Sequence, residues 1–173
     1  MRRRFVIAGT LLGGVLLSFL NWLTAALLPP RYKQFRDPGA VVETIRANVS
    51  GNDIYTAPQG LFVSVSLRPG SAGGPQNFGA RVVRQFTTEF VVAFGLSLLL
   101  LATAIRSPLS AAGFFGLVGL IAGIETHFPN WNWAGFPTSD LLAGSGYLAA
   151  NWCIVGLALG AARQKLSPRE DAG

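Results

Sequence analysis

The sequence predicts an all-α integral membrane protein with four transmembrane helices and a small extracytoplasmic α/β element between helices 1 and 2. Half of the 173 residues are hydrophobic and only 13% are charged, whereas soluble domains carry about 25% charged residues. The mean hydropathy is +0.42. Apolar runs alternate with short polar segments, and a spanning helix needs about 20 apolar residues.

The first predicted span lies within residues 1–28. Phe5–Leu28 contains no charged residue, follows Arg2–Arg4 and ends before two prolines. A cleaved signal peptide is the alternative, with Thr24–Ala26 as its small-residue site and some similarity to a twin-arginine signal at its start. The apolar part of a signal peptide is usually about 7–15 residues long. We therefore expect an uncleaved helix.

Residues 29–85 form the extracytoplasmic region, predicted as a helix plus a β-hairpin. Asp37 and Pro38 suit a helix N-cap and first turn, and this helix should end near residues 48–51. Ile54–Ala57 reads as a strand, and Leu61–Arg68 alternates apolar and polar residues as a second strand does. The hairpin turn falls at 58–60 and a glycine-rich loop at 69–79. This element is too small to form a core of its own.

Residues 86–162 hold the remaining three spans. They are predicted at Phe86–Ile105, Leu109–Ile124 and Leu141–Ala162, joined by a turn at residue 106 and an aromatic loop over 125–140. Residues 163–173 form a polar cytoplasmic tail. With four spans, both termini lie on one side of the membrane.

Basic residues at the span ends predict the orientation. Cytoplasmic loops carry an excess of Lys and Arg, and the side with both termini contains Arg2, Arg3, Arg4, Arg106, Arg163, Lys165 and Arg169. We therefore expect a multi-pass protein of the bacterial inner membrane with cytoplasmic termini. The opposite side also carries seven Lys and Arg, but they lie in the 57-residue segment 29–85, near the length at which the rule loses force. The net charge of +6 forms no single patch, so nucleic-acid binding is not expected.

Glycines four residues apart indicate close helix packing. In lipid, small residues at this spacing let two helix backbones approach each other. Internal packing is one reading, and contact with a separate membrane subunit or a second copy is the other. The pairs are Gly9 with Gly13, Gly119 with Gly123, and Gly156 with Gly160.

The aromatic loop holds Trp131 and Trp133. Tryptophan favours the headgroup layer, so anchoring is the first interpretation. A binding surface for a quinone ring, lipid headgroup, pigment or partner helix is the second. Pro129, Gly135 and Pro137 predict a compact loop without helix.

His127 and Glu125 flank this loop as a possible proton-linked pair, because a neighbouring carboxylate raises the pKa of a histidine. The simpler reading is an interfacial histidine bonded to the loop. The chain has one His and one Cys, Cys153, which are too few for a metal site. No cofactor is expected. A haem needs only one axial ligand from a chain, so His127 as a haem ligand remains an alternative.

Glu89 lies one turn into the second predicted span. There the helix dipole favours a carboxylate near the membrane surface, with Arg84 or Arg81 as partner. If the span lies deeper, an intramembrane carboxylate is itself a functional hypothesis. Asn151, mid-span in the fourth helix, is predicted to bond across helices.

Two segments resemble a known group. Asn130–Pro137, with the sequence NWNWAGFP before an apolar helix, and the Ile-Tyr-x-x-Pro pattern in Gly51–Pro58 resemble segments of uncharacterised small multi-span bacterial inner-membrane proteins. The resemblance covers about a fifth of the chain. It implies no activity and assigns no functional residue.

The sequence therefore favours a non-enzymatic accessory or assembly subunit that packs against other membrane helices. It lacks the HExxH, GxSxG, GxxxxGK and GxGxxG motifs, and its partners are expected to be the bilayer and a membrane protein or a second copy. The alternative is a lipid- or quinone-binding enzyme or small carrier. That protein would use the outer aromatic loop, with Glu89, Glu125 and His127 as acid–base groups.

Overall fold

A computed structural model describes residues 2–27, 35–51, 53–57, 61–65 and 78–166. The chain divides into two compact units. One unit contains the long helices and includes the second of them only from Val83 onwards. The other contains a short helix and a hairpin. The elements are α1 (Arg2–Leu27), α2 (Pro38–Asn48), β1 (Asp53–Ala57), β2 (Leu61–Val65), α3 (Phe78–Ala102), α4 (Pro108–Ala134) and α5 (Thr138–Leu166).

Four helices, α1, α3, α4 and α5, are long and apolar enough to cross a membrane. This agrees with the predicted number of spans. The helices are longer than the predicted spans, since α3 begins eight residues earlier than expected and α5 continues to Leu166. Residues 78–85 contain no proline, so nothing in their backbone chemistry stops the helix from starting before the apolar run.

The predicted aromatic loop over 125–140 is mostly helix. α4 continues through Pro129 to Ala134, and only residues 135–137 separate it from α5. Proline removes one backbone N–H, which leaves the carbonyl of Glu125 without its helical partner, but long membrane helices tolerate this loss. The helix ends instead at Gly135, whose φ of 67° is left-handed. The N–H groups of Gly135 and Phe136 both donate to the carbonyl of Asn130, a common helix stop.

The smaller unit follows the sequence closely. The Asp37 carboxylate accepts a hydrogen bond from the Ala40 N–H at 3.0 Å, with Pro38 in the first turn, as predicted. β1 and β2 pair antiparallel with Tyr55 opposite Val63. The Tyr55 hydroxyl accepts from the Gly51 N–H and donates to the Gly51 carbonyl, both at 3.0 Å. The predicted turn at 58–60, the loop at 69–77 and the tail from 167 lie outside the described residues.

The core of the larger unit draws on all four long helices. Phe5, Leu100, Phe115 and Leu159 are each fully buried. They lie at the end of the bundle where α1 begins, α3 ends, α4 begins and α5 ends. Each helix is therefore antiparallel to its successor among the long helices, with short connections of 103–107 and 135–137 between α3, α4 and α5.

Glycine positions bring these helices into close contact. A Cβ on Gly9 would lie 2.6 Å from Ser97 Oγ, and one on Gly13 would lie 3.0 Å from Ala93 Cβ. Between α4 and α5, a Cβ would meet atoms of the facing helix at 2.6 to 2.7 Å at each of Gly119, Gly123, Gly156 and Gly160. At these last four positions, α4 and α5 touch backbone to backbone.

Replacing Gly123 by alanine should destabilise the bundle by about 1–3 kcal/mol, the usual penalty for overpacking. The new Cβ would lie 2.6 Å from the Ser145 Cα and 3.1 Å from its carbonyl oxygen, and backbone cannot move aside cheaply. Gly113→Ala, in the same helix, is the matched control because nothing lies within 4 Å of its Cβ position. Thermal unfolding in detergent, followed by circular dichroism, should lower the Tm for Gly123→Ala alone. Equal Tm shifts in the two variants would contradict this packing.

Candidate functional site

Glu89 is a buried carboxylate near the middle of α3, one of the four helices that are long and apolar enough to cross a membrane. Its side chain is 5% exposed, and it lies eleven residues after the start of α3, which is about 16 Å at 1.5 Å per residue. The eight residues that α3 adds before Phe86 include Arg81 and Arg84. The prediction that Glu89 lies one turn into the apolar span is compatible with this longer helix and stays a prediction.

Two amide side chains donate to this carboxylate and a third donates to one of the two, which together make a polar junction, defined as Asn21, Gln85, Glu89 and Asn151. Asn21 Nδ2 donates to Glu89 Oε1 at 2.6 Å, and Gln85 Nε2 donates to the same oxygen. Asn151 Nδ2 donates to Asn21 Oδ1 at 2.9 Å. The polar junction thus connects α1, α3 and α5.

The predicted pairing of Glu89 with Arg84 or Arg81 is not among the bonds that the structure describes for this carboxylate, and it stays a prediction. The partners of Glu89 are amides on α1 and α3, while Arg84 has an exposed side chain. Asn151 does bond across helices, to Asn21 on α1. Hydrogen bonds between membrane helices average about 0.6 kcal/mol and reach about 1.7 kcal/mol. Their larger effect is on specificity, since each donor separated from its acceptor would be unsatisfied in hydrocarbon.

Arg163 forms a second buried polar contact, which sequence reasoning placed only among the membrane-flanking cations. It is 6% exposed. Its Nη1 donates to the carbonyls of Leu100, Thr103 and Ile105, the last at 2.9 Å, and its Nη2 donates to Thr103. A cation at a helix C-terminus satisfies carbonyls that have no helical partner. In the sequence, Arg163 directly follows the fourth apolar run, as a membrane-flanking cation does, so no local signal distinguishes it.

The other predicted site residues lie along the last turns of α4. Glu125 is exposed, and His127 is partly buried where it packs on Gly144 of α5. Trp131 stacks near Phe128, with ring centroids 5.5 Å apart, and its indole N–H donates to Thr138 Oγ1 at 3.1 Å. Trp133 is 82% exposed.

The structure does not join these groups into one catalytic set. Within the described residues, no hydrogen bond connects Glu89, Glu125 and His127 to each other. Their described contacts instead lie on α1 and α3 for Glu89 and on α5 for His127. In the same part of the chain, no group of three His, Cys, Asp or Glu side chains could hold a metal ion.

No family model matches this chain, and no curated protein or solved structure is similar to it. Its chemistry therefore has to be judged from the polar junction and the helix surfaces. The polar junction can hold α1, α3 and α5 in one register. The hydroxyls of Ser18 and Ser97 donate to backbone carbonyls of their own helices, those of Gly14 and Ala93. Among the described residues, the buried hydroxyls of Thr10 and Ser145 have no hydrogen-bond partner.

Proposed function

We propose that this chain is a non-enzymatic integral membrane protein, an accessory or assembly subunit that packs against other membrane helices. The observation that carries this proposal is the internal bonding of the polar junction. Its one carboxylate is enclosed by amides of the same bundle, an arrangement that orders helices. A reaction centre would need polar groups that converge on space for a substrate.

The outer faces of the bundle support an association role. On α1, the side chains of Ile7, Leu11, Val15 and Phe19 are 53–60% exposed. In the most apolar 18-residue stretch of each of the four long helices, only 22–33% of the residues are buried. Most of the apolar surface is therefore open to lipid or to the helices of a partner.

The proposed location is the bacterial inner membrane, with both termini in the cytoplasm. The support is the set of cations at the start of α1, after α3 and at the end of α5, read by the positive-inside rule. The small unit of α2 and the hairpin would then lie on the extracytoplasmic side.

Mild-detergent purification of the full chain, followed by native mass spectrometry, tests the proposal. A second protein, or a second copy, should remain bound at a fixed stoichiometry. A bare monomer that carries a bound lipid or quinone and no protein would overturn the subunit role.

A second candidate is a lipid- or quinone-binding enzyme or small carrier. It is favoured by the buried position of Glu89, because an ionisable residue inside a membrane span is expensive and usually functional. The open indole of Trp133 and the paired rings of Phe128 and Trp131 would provide a ring-binding surface at the end of α4.

Substitutions separate the two candidates. If the chain is a subunit, Glu89→Gln should reduce the amount of assembled complex in the membrane, and His127→Ala should leave it unchanged. If it is an enzyme or carrier, both variants should keep their membrane abundance while binding of the co-purified lipid or quinone falls. Abundance is measured by quantitative immunoblotting of membranes, and ligand content by mass spectrometry.

A further inference from the structure

One end of the four-helix unit carries a group of exposed cations, here called the basic end. It consists of Arg2, Arg3, Arg4, Arg106 and Lys165, all with exposed side chains.

Helix packing places these residues at the same end of the bundle. Gly9 lies against Ser97 and Gly13 against Ala93, so α1 and α3 are antiparallel and the first residues of α1 fall level with the end of α3. Gly160 lies against Pro108. The last turn of α5 therefore lies beside the turn that contains Arg106.

Arg163 strengthens this convergence. It donates to the Ile105 carbonyl at 2.9 Å, which brings the last turns of α5 against the residue that precedes Arg106. The described segments around them, 2–8, 98–112 and 158–166, contain no Asp or Glu. The two acids of the tail, Glu170 and Asp171, lie outside the described residues. Within the described part, the positive charge of the basic end has no acidic counterpart.

Apolar side chains lie directly beside these cations. Leu109, one turn after Arg106, is 76% exposed, and Leu166, next to Lys165, is 37% exposed. Ile7, about one turn after the three N-terminal arginines, is 53% exposed. A ligand that combines an anionic group with hydrocarbon would contact both kinds of side chain at once.

We propose that the basic end binds the phosphate headgroups of anionic phospholipids, with the acyl chains against the neighbouring apolar side chains. Clustered Lys and Arg at the ends of membrane helices attract anionic lipid, and arginine suits phosphate geometry in particular. The inference concerns the lipid partner and is independent of whether the chain is a subunit or a carrier.

The test is a lipid titration of the purified full chain in neutral detergent, followed by native mass spectrometry. The two probes are phosphatidylglycerol and phosphatidylcholine with identical acyl chains. Phosphatidylglycerol should be retained in preference. Arg106→Gln and Lys165→Gln should each weaken its retention about five-fold, and phosphatidylcholine retention should not change.

Arg84→Gln is the matched control, since it removes one exposed arginine from the opposite end of α3. It should keep the full preference for phosphatidylglycerol. An equal loss in Arg84→Gln would mean that overall charge, and not the basic end, attracts the lipid. Equal retention of both lipids, or full displacement of phosphatidylglycerol by millimolar inorganic phosphate, would also overturn the proposal. Circular dichroism checks that each variant stays folded.

Discussion

Replacing Arg163 by alanine should destabilise the bundle by about 3–4 kcal/mol, because hydrogen bonds to a charged group contribute about 1.5–3 kcal/mol each. The Thr103 and Ile105 carbonyls would lose the guanidinium. The Leu100 carbonyl keeps bonds from the Thr103 backbone and hydroxyl, which limits the loss. Unfolding by sodium dodecyl sulfate in mixed micelles, followed by circular dichroism, measures the change in free energy.

Two further variants make this result specific. Arg163→Lys keeps the charge but loses the planar fork of donors, so its destabilisation should fall between that of wild type and alanine. Lys165→Ala, two residues away with an exposed side chain, should unfold like wild type. If Lys165→Ala were as unstable as Arg163→Ala, the effect would come from charge at the helix end and not from the carbonyl contacts.

Replacing Glu89 by leucine should cost about 1–3 kcal/mol of stability, the cost of leaving a buried donor unsatisfied. The volume is nearly kept, but the partly buried amide of Asn21 loses its acceptor, whereas the exposed amide of Gln85 can turn to another partner. Glu89→Gln should cost less, since its carbonyl oxygen can still accept from Asn21. The same unfolding assay in mixed micelles ranks the two variants.

Glu125→Leu is the control for the removal of a carboxylate, because Glu125 is exposed on α4. It should leave the unfolding midpoint close to that of wild type. A Glu89→Leu protein that is as stable as wild type would show that the polar junction does not hold the helices together. The hydrophobic contacts and glycine positions would then account for the fold alone.

Much of the fold follows from local signals in the sequence. Long apolar runs between prolines and arginines predict the four helices, and Asp37 with Pro38 predicts the start of α2 as the structure has it. The alternation in Leu61–Arg68 predicts a strand, of which Leu61–Val65 is present and 66–68 lie outside the described residues. Each of these signals acts within a few residues, so neighbouring residues are enough to read it.

The polar contacts could not be read in the same way. Glu89 bonds to Asn21 across 68 residues, and Arg163 reaches carbonyls about 60 residues away. Nothing in the spacing of single polar residues says which helices meet. The end of α4 differs from the prediction for another reason. Proline usually interrupts a helix, but α4 continues through Pro129 and ends at the left-handed Gly135 six residues later.

The Arg163 contact also bears on the order in which the protein can be completed during synthesis. α3 and α4 are translated before α5, so the carbonyls of Thr103 and Ile105 and the side chain of Asn21 are made before the groups that donate to them. Until α5 is inserted, these two backbone carbonyls in the turn at 103–107 need water or lipid headgroups as hydrogen-bond donors. The insertion of α5 is thus the step that closes the bundle, and ribosome stalling before it would leave a three-helix intermediate with exposed polar backbone.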